Sequence, residues 1–123
     1  MKVLLSIKPE FAESILDGKK HFEFRKRIFK RDNIEKVIIY ATMPVGKVIG
    51  EFDIDGVLAM EPKDLWQETK DNAGISLNFF ESYFSGKQQG FAIKVKNPKR
   101  YENPCNLNDI LDNAVAPQSY RYL

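Results

Sequence analysis

The sequence predicts an α+β fold, a small mixed β-barrel with two to four short flanking helices. Segments that alternate apolar and polar residues outnumber helical segments. Helical patterns occur only between the first and second strands and between the fourth and fifth, too few crossovers for a doubly wound sheet. Gly50 and Gly56 interrupt the longest strand pattern, as bends or bulges do in small barrels. The 123 residues are expected to form one domain, residues 1–123.

The chain opens with a strand, a short helix and a glycine turn. KVLLSIK alternates, with Val3, Leu5 and Ile7 on one face. PEFAESIL predicts a helix, because Pro9 suits the first helical position and Gly18 supplies a left-handed cap after its end.

Three strand patterns follow. In HFEFRKRIF, Phe22 and Phe24 share one face, while Glu23 and Arg25 share the other. KVIIYAT is a β-branched strand, MPVG is a turn, and KVIGEFDIDGVLAM is a long strand. The second strand therefore presents one apolar face and one charged face.

Two short helices are predicted next. Pro62 lies near the start of EPKDLWQET, and Ser76 is the expected N-cap of SLNFFESYFSG, with Gly86 after its end. The second helix carries an apolar stripe, interpreted as core and not as a ligand site. The stripe consists of Leu77, Phe79, Phe80, Tyr83 and Phe84.

The remaining patterns are those of a fifth strand and an extended tail. GFAIKVK alternates, and PKRYENP extends it after a break at Pro98. NLNDILD predicts a helical turn, and APQSYRYL an extended end.

Positive charge is concentrated in one segment. The net charge is +2, but Lys19 to Arg31 holds seven cations and one anion, Glu23, and so carries +6 against −4 elsewhere. A focused basic segment favours an anionic ligand, with phosphates the first choice. The alternative is a solvated basic edge that also prevents edge pairing.

Several classes of protein are disfavoured by composition. One cysteine, Cys105, and one histidine, His21, provide neither an internal disulfide nor the usual four zinc ligands. The sequence contains no run of about 18 apolar residues, so no membrane span is predicted. The first ten residues are typical of a strand and not of a signal peptide. A cytoplasmic protein without metal or cofactor is expected.

The candidate site lies around the second strand. Glu23 and Arg25 project from one strand face, and Lys20 lies in the turn before it. A carboxylate and a guanidinium two residues apart form an ion pair, or an acceptor and a donor fork for one ligand. A base edge or an amide suits that pair, and a phosphate suits Lys20 with Arg25. The alternative is a structural ion pair beside the turn.

These residues carry a family resemblance. Gly18-x-Lys20-x-x-Glu23-x-Arg25 resembles the G-x-K-x-x-E-x-R signature of ASCH domains, in the PUA-like superfamily. LSIKPEFAESIL, VIIYATMPVGKVIGEF and APQSYRY are also similar to that family, so the resemblance spans nearly the whole chain. It implies a PUA-like β-barrel with flanking helices and a cleft over the signature. It also implies an RNA- or nucleotide-binding module, with a link to translation or transcription regulation.

The family also contains enzymes, and the resemblance implies Lys20 and Glu23 as the catalytic candidates. One branch hydrolyses N4-acylated cytidine with a lysine, a threonine nucleophile and a later glutamate. Lys20 matches the lysine, Glu51 or Asp53 is a counterpart of the later carboxylate, but Glu23 stands at the threonine position. A carboxylate does not replace a hydroxyl nucleophile without different chemistry.

A second enzymatic branch resembles a metal-assisted ribonuclease. Glu23, Glu51 and Asp53 form a conceivable divalent-cation site. The alternative is that these carboxylates are solvated on their strands, and no metal is expected.

Further polar residues are candidates for the cleft. Those expected to bind the ligand are Lys8, Lys20, Glu23, Arg25, Tyr40, Thr42, Gln118 and Ser119. Ser6 and Arg121 are weaker candidates. The alternatives are structural. Tyr40 would lie in the core, the Ser6 hydroxyl would hydrogen-bond to the backbone, and Gln118 would only hold the C-terminal tail in place. His21 is expected to be exposed, and Cys105 to be inert.

The sequence thus predicts a barrel that binds RNA or a nucleotide-like ligand. Lys20, Arg25 and Lys8 would hold phosphate or a carbonyl, and Glu23 would accept a hydrogen bond from a base. The residues that would widen the electrostatic contact with nucleic acid are Lys26, Arg27, Lys30 and Arg31. The rivals are a hydrolase using the same cleft and a protein-interaction module that meets an acidic partner.

Overall fold

A computed structural model describes residues 1–112 and 115–123 and places the predicted elements in a curled six-stranded sheet with three α-helices. The strands are β1 (Lys2–Ile7), β2 (Phe22–Arg25), β3 (Lys36–Ala41), β4 (Lys47–Met60), β5 (Gly90–Cys105) and β6 (Tyr120–Tyr122). The helices are α1 (Pro9–Leu16), α2 (Pro62–Thr69) and α3 (Leu77–Tyr83), with short 3-10 turns at Lys70–Asn72 and Leu107–Asp109. The predicted α+β barrel class is confirmed, in the form of a half-barrel.

The sheet order places the signature strand at one edge. The order is β2-β5-β4-β3-β1-β6, with β1 parallel to β3 and the other neighbours antiparallel. The sheet curls so far that Arg25, on β2, donates to the carbonyls of Ser6 on β1 and Ser119 beside β6. The two edges of the half-barrel are therefore joined by a side chain instead of a strand ladder.

The long strands bend where the two glycines predict it. The pairing of β4 with β5 shifts register three times, between Val48 and Gly50, between Glu51 and Asp53 and between Ile54 and Val57. Gly56 lies in the last of these shifts with φ of +107°. A Cβ at Gly50 would lie 2.6 Å from the Lys99 carbonyl oxygen. Only glycine permits that approach of the two strands.

Apolar side chains pack on both faces of the sheet. The inner cluster includes Val3, Leu5 and Ile7 of β1, packed with α1. A second cluster joins α2 and α3 to β2 and β5, and its buried members are Phe24, Leu65, Ala73, Phe80, Phe84 and Ala92. The third lies on the opposite face of β1 and β3, and its buried members are Leu4, Ile38, Tyr40, Val48 and Leu111.

Three local predictions differ from the structure. β2 ends at Arg25 instead of continuing to Phe29, because Phe29 turns inward to pack against the inner cluster. β5 runs unbroken through Pro98, with Asn97 absorbing the bend at φ of +51°. Leu77, placed in the core by its helical spacing, is 44% exposed at the first position of α3. No helix in the described ranges is long and apolar enough to cross a membrane.

Candidate functional site

A narrow cavity of about 240 Å³ opens over the signature strand. The charged side chains that line it are Lys8, Lys20, Glu23 and Arg25. Its aromatic walls are Phe11 of α1, Phe24 of β2, and Phe79 and Tyr83 of α3. The three signature side chains thus share one concave site between α1, β2 and α3. A wider groove of about 960 Å³ between α2 and α3 contains none of them.

Lys20 enters this cavity because the turn after α1 is fixed. Gly18 adopts φ of +79°, and the backbone N–H groups of Lys19 and Lys20 both donate to the Ser14 carbonyl. The Lys20 side chain is then directed under α3, where its residue is only 2% exposed. Its Nζ donates to the carbonyl of Ala73 at 2.9 Å.

Burial disfavours the charge of Lys20, whereas two aromatic rings favour it. Its Nζ lies 4.6 Å from the ring centroid of Phe24 and 5.5 Å from that of Phe11, within the range of cation–π contacts. Burial lowers the pKa of Lys20 to about 8, although the nearby Glu23 carboxylate opposes the shift. Lys20 therefore supplies a hydrogen-bond donor that changes protonation state just above neutral pH.

Glu23 is the buried acceptor of the site. The residue is 5% exposed, and Arg25 Nη1 donates to its Oε2 at 3.1 Å. Burial raises the pKa of Glu23, while the charges of Arg25 and Lys20 act to lower it. A buried carboxylate is tolerated here because two cations and a hydrogen bond compensate its desolvation.

The Arg25 guanidinium was predicted to donate to a ligand, but in the structure it donates to the protein. Its Nη1 donates to Glu23 and, at 3.3 Å, to the Ser6 carbonyl; its Nη2 donates to the Ser119 carbonyl at 2.7 Å. The guanidinium is therefore engaged by the protein itself. Arg25 closes the edges of the half-barrel and orients Glu23, and it remains part of the cavity wall.

Two aromatic residues of the cavity were predicted to be core. Phe79 and Tyr83 are four residues apart and share a helix face turned toward the cavity, whereas Phe80 and Phe84, one position later, form the buried face. The ammonium of Lys8 lies 5.6 Å from the Phe79 ring centroid. If these residues had been treated as two separate i,i+4 pairs, the sequence would have predicted a second aromatic face on α3. That face alone could not have indicated a cavity.

The tail residues reach the cavity in two ways. Gln118 lines it with an exposed side chain, and Ser119 contributes its backbone carbonyl to Arg25. The Ser6 hydroxyl lines the same cavity and donates to the Pro117 carbonyl at 2.6 Å. Arg121 lies exposed on β6.

Tyr40 and Thr42, two of the predicted ligand-binding residues, do not line this cavity. Tyr40 is 7% exposed and belongs to the third apolar cluster, on the face that it shares with Leu4 and Ile38. Thr42 follows the end of β3, where its backbone N–H donates to the Ile7 carbonyl. Tyr40 is in register with Ser6 of β1, which lines the cavity, but its own side chain packs in the third apolar cluster.

The basic segment after β2 runs from the cavity rim to β6. Lys26 lies 4.7 Å from the ring centroid of Tyr83, at the rim. The backbone N–H groups of Lys30 and Arg31 donate to the Tyr122 hydroxyl, and the Arg31 guanidinium lies 4.2 Å from that ring centroid. The Arg27 side chain is exposed, as is that of His21.

The three carboxylates considered for a metal are not brought together. Glu51 and Asp53 both pair with Lys36, and Tyr101 donates to Glu51 at 2.9 Å. Hydrogen bonding to Lys36 lowers the pKa of Glu51. Glu23 pairs with Ile93 of β5 and Glu51 with Lys99, a separation of roughly 20 Å along that strand. The described part of the chain contains no group of three potential metal ligands.

Stability should depend on pH in a window set by Lys20. The folded pKa of about 8 lies below the unfolded value of 10.5, so the unfolded chain binds more protons between these values and stability rises with pH. We expect urea denaturation to show a gain of about 2 kcal/mol from pH 7.5 to 9.5, relative to Lys20→Met. Lys19→Met, one residue earlier and exposed, should follow the parent. Parallel pH profiles for the parent and Lys20→Met would refute the shift.

The fold and the site define the class of this chain. It is a half-barrel domain with three α-helices and a cavity lined by Lys20, Glu23 and Arg25 of the G-x-K-x-x-E-x-R signature. The pattern of the ASCH domain family matches residues 5–105, and the chain belongs to that family.

Known proteins are similar to this chain in sequence or in structure. The chain is 34% identical over 124 residues to the "ASCH domain-containing ribonuclease" of Zymomonas mobilis, covering 99% of this chain and 84% of that protein. The crystal structure of ASCH from Zymomonas mobilis superposes with a TM-score of 0.91 at 32% identity, over 99% of this chain and 87% of that one. The large ribosomal subunit protein uL22 of Ureaplasma parvum is 25% identical over 98% of this chain, which spans only 39% of that protein.

Proposed function

We propose that this chain binds RNA or a nucleotide-like ligand and inserts a base into the cavity over the signature strand. The observation that carries the proposal is the pairing of aromatic walls with one buried donor, Lys20, and one buried acceptor, Glu23. Bases present flat π-faces together with edges of donors and acceptors, and proteins read unpaired bases through both. A purely electrostatic patch would need neither feature.

The contacts support a proposed role for each side of the cavity. Phe79 and Tyr83 offer rings against which a base can stack, and Lys20 can donate to a carbonyl or ring nitrogen. Glu23 can accept from an amine, held in place by Arg25. The volume of about 240 Å³ is below the range typical of drug-sized ligands. It suits one ring system, with the sugar and phosphate left at the mouth.

The exposed cations suit the phosphates outside the cavity. Lys8 and Lys26 lie against the aromatic wall, at Phe79 and Tyr83. Arg27, Lys30 and Arg31 continue the positive charge along the segment toward β6. Phosphate contacts release counterions, so affinity should fall steeply with salt.

A second candidate function is hydrolysis of RNA at the same cavity, with Lys20 and Glu23 in acid–base roles. It is favoured by the 34% identity to a protein named as a ribonuclease. The cytidine amidohydrolase alternative has weaker support, because a carboxylate, Glu23, stands at the position of its threonine nucleophile. The link to translation or transcription regulation stays a prediction.

Titration of single-stranded RNA at two salt concentrations tests the binding proposal. Loss of one hydrogen bond to a charged donor costs about 1.5–3 kcal/mol. We therefore expect Lys20→Met to weaken binding by about 10–100-fold. The matched control, Lys19→Met, removes a neighbouring exposed charge and should bind like the parent apart from a small salt-dependent loss. No binding by the parent, or equal binding by Lys20→Met in folded form, would overturn the proposal.

The parent, Lys20→Met and Lys19→Met also distinguish the alternative functions. End-labelled RNA, with and without manganese, and N4-acetylcytidine are incubated with the parent and both lysine variants. Turnover that is lost in Lys20→Met but retained in Lys19→Met would establish an enzyme. Binding without turnover supports a recognition module. Absence of both, combined with capture of an acidic peptide, would favour the protein-interaction alternative.

A further inference from the structure

We propose that Lys20 is a carbonyl-reactive lysine, whose amine condenses inside the cavity with a one-ring aldehyde that carries an anionic substituent. The product is an imine, and the ligand class is thereby small aldehydes of the size of a substituted benzaldehyde. This inference goes beyond RNA binding and does not depend on it. It concerns what the Lys20 nitrogen can do and not only what it can contact.

The position of Nζ carries the proposal. Imine formation requires a nucleophilic nitrogen beside a space that admits the aldehyde. Lys20 is 2% exposed and lines a cavity of about 240 Å³. Within residues 1–112 and 115–123, its Nζ donates to one acceptor, the Ala73 carbonyl at 2.9 Å. That bond and the ring of Phe24, 4.6 Å away, hold the nitrogen in place. A flexible surface lysine has no comparable orientation.

Burial supports the free amine of Lys20, although the Glu23 carboxylate opposes it. The charged and titratable groups that face the cavity are Glu23 and Arg25 on β2, Lys8 after β1 and Tyr83 on α3. The pKa of about 8 that burial gives Lys20 leaves roughly a quarter of it unprotonated at pH 7.5. A solvated lysine is about 0.1% unprotonated at that pH. Desolvated lysines of this kind form Schiff bases.

The chemistry balances with groups that are present. The amine lone pair attacks the carbonyl carbon, and the nitrogen loses a proton to the former carbonyl oxygen, giving a carbinolamine. The proton that the Lys20 ammonium gave up to become the free amine is taken by the Glu23 carboxylate. Glu23 then donates this proton to the carbinolamine hydroxyl, which leaves as water while the C=N bond forms. The protonated imine returns a proton to the Glu23 carboxylate. Amine and aldehyde thus yield imine and water, and no other reactant is needed.

The cavity walls select the ligand class. The rings of Phe79 and Tyr83 form a wall suited to a flat aromatic ring. The Lys8 ammonium lies 5.6 Å from the Phe79 ring centroid and its residue is exposed, so it can meet an anionic substituent at the mouth. The guanidinium of Arg25 is engaged by Glu23 and two carbonyls, which leaves Lys8 as the cation for this contact.

Reductive trapping tests this inference. The parent is incubated with 4-formylbenzoate and cyanoborohydride at pH 7.5, and modified lysines are located by peptide mass spectrometry. We expect Lys20 to be modified at least about tenfold faster than Lys19, the exposed lysine beside it. Glu23→Gln should slow modification of Lys20 and not of Lys19. Lys8→Ala should remove the preference for 4-formylbenzoate over unsubstituted benzaldehyde.

Several results would overturn the inference. Modification of Lys20 no faster than that of Lys19 refutes it, and so does an unchanged rate after saturation of the cavity with unreactive benzoate. Lys20→Arg provides a folded control in which the other lysines should react as in the parent. RNA titration is a separate readout. Selective modification without RNA binding would defeat only the proposed function, and RNA binding without selective modification would defeat only the imine.

Discussion

Replacing Arg25 with alanine is expected to lower the free energy of unfolding by about 3–5 kcal/mol. The variant leaves Glu23, 5% exposed, without its hydrogen-bonded cation. It also removes the donors to the Ser6 and Ser119 carbonyls, which join the two edges of the half-barrel. Removing one partner of a buried pair costs more than the pair contributes, because the remaining charge stays desolvated. RNA binding and Lys20 modification should both be lost.

Urea denaturation measures this effect, and the chain provides a matched control. Arg27 lies two residues later with an exposed side chain, so Arg27→Ala should change stability by less than about 0.5 kcal/mol. Adding Glu23→Gln to Arg25→Ala should recover part of the loss, since the buried charge is then removed. Similar losses for Arg25→Ala and Arg27→Ala would refute the role of Arg25 as an edge clamp.

Gly74→Ala is expected to cost about 2–5 kcal/mol and to disable the site. Gly74 adopts φ of +72°, and a Cβ at this position would lie 2.6 Å from both Cβ and Cγ of Lys20. The backbone strain costs about 1–2 kcal/mol and the steric conflict about 1–3 kcal/mol. Lys20 must shift to relieve the overlap, so its bond to the Ala73 carbonyl is lost and RNA binding should weaken with it.

Gly86→Ala separates strain from steric conflict. Gly86 has nearly the same backbone conformation, with φ of +77°, but a Cβ there would meet nothing within 4 Å. It should therefore cost only the strain, about 1–2 kcal/mol, and leave RNA affinity unchanged. Equal losses of stability and of affinity in both variants would show that Gly74 has no specific relation to Lys20.

Local patterns predicted most of the architecture. Alternation identified β1, β3 and β4, and Pro9 and Gly18 identified the start and the cap of α1, because these signals lie within a few neighbouring residues. The single-domain organisation, the roles of the site residues and the expected absence of cofactors stay predictions. Tyr40 and Thr42 do not line the cavity, which their strand pattern could not indicate, since alternation does not state which sheet face adjoins a given edge.

The sequence by itself determined the family, the elements and the face of β2 on which Glu23 and Arg25 lie, because an eight-residue spacing and a strand period are local. Only the tertiary structure decided what those residues contact. Arg25 meets Ser119, 94 residues away, and Lys20 meets Ala73, 53 residues away. Such contacts depend on the curl of the sheet and the packing of α3, which arise from the whole chain. These contacts bury the lysine and the carboxylate of the signature beside the aromatic wall of the cavity.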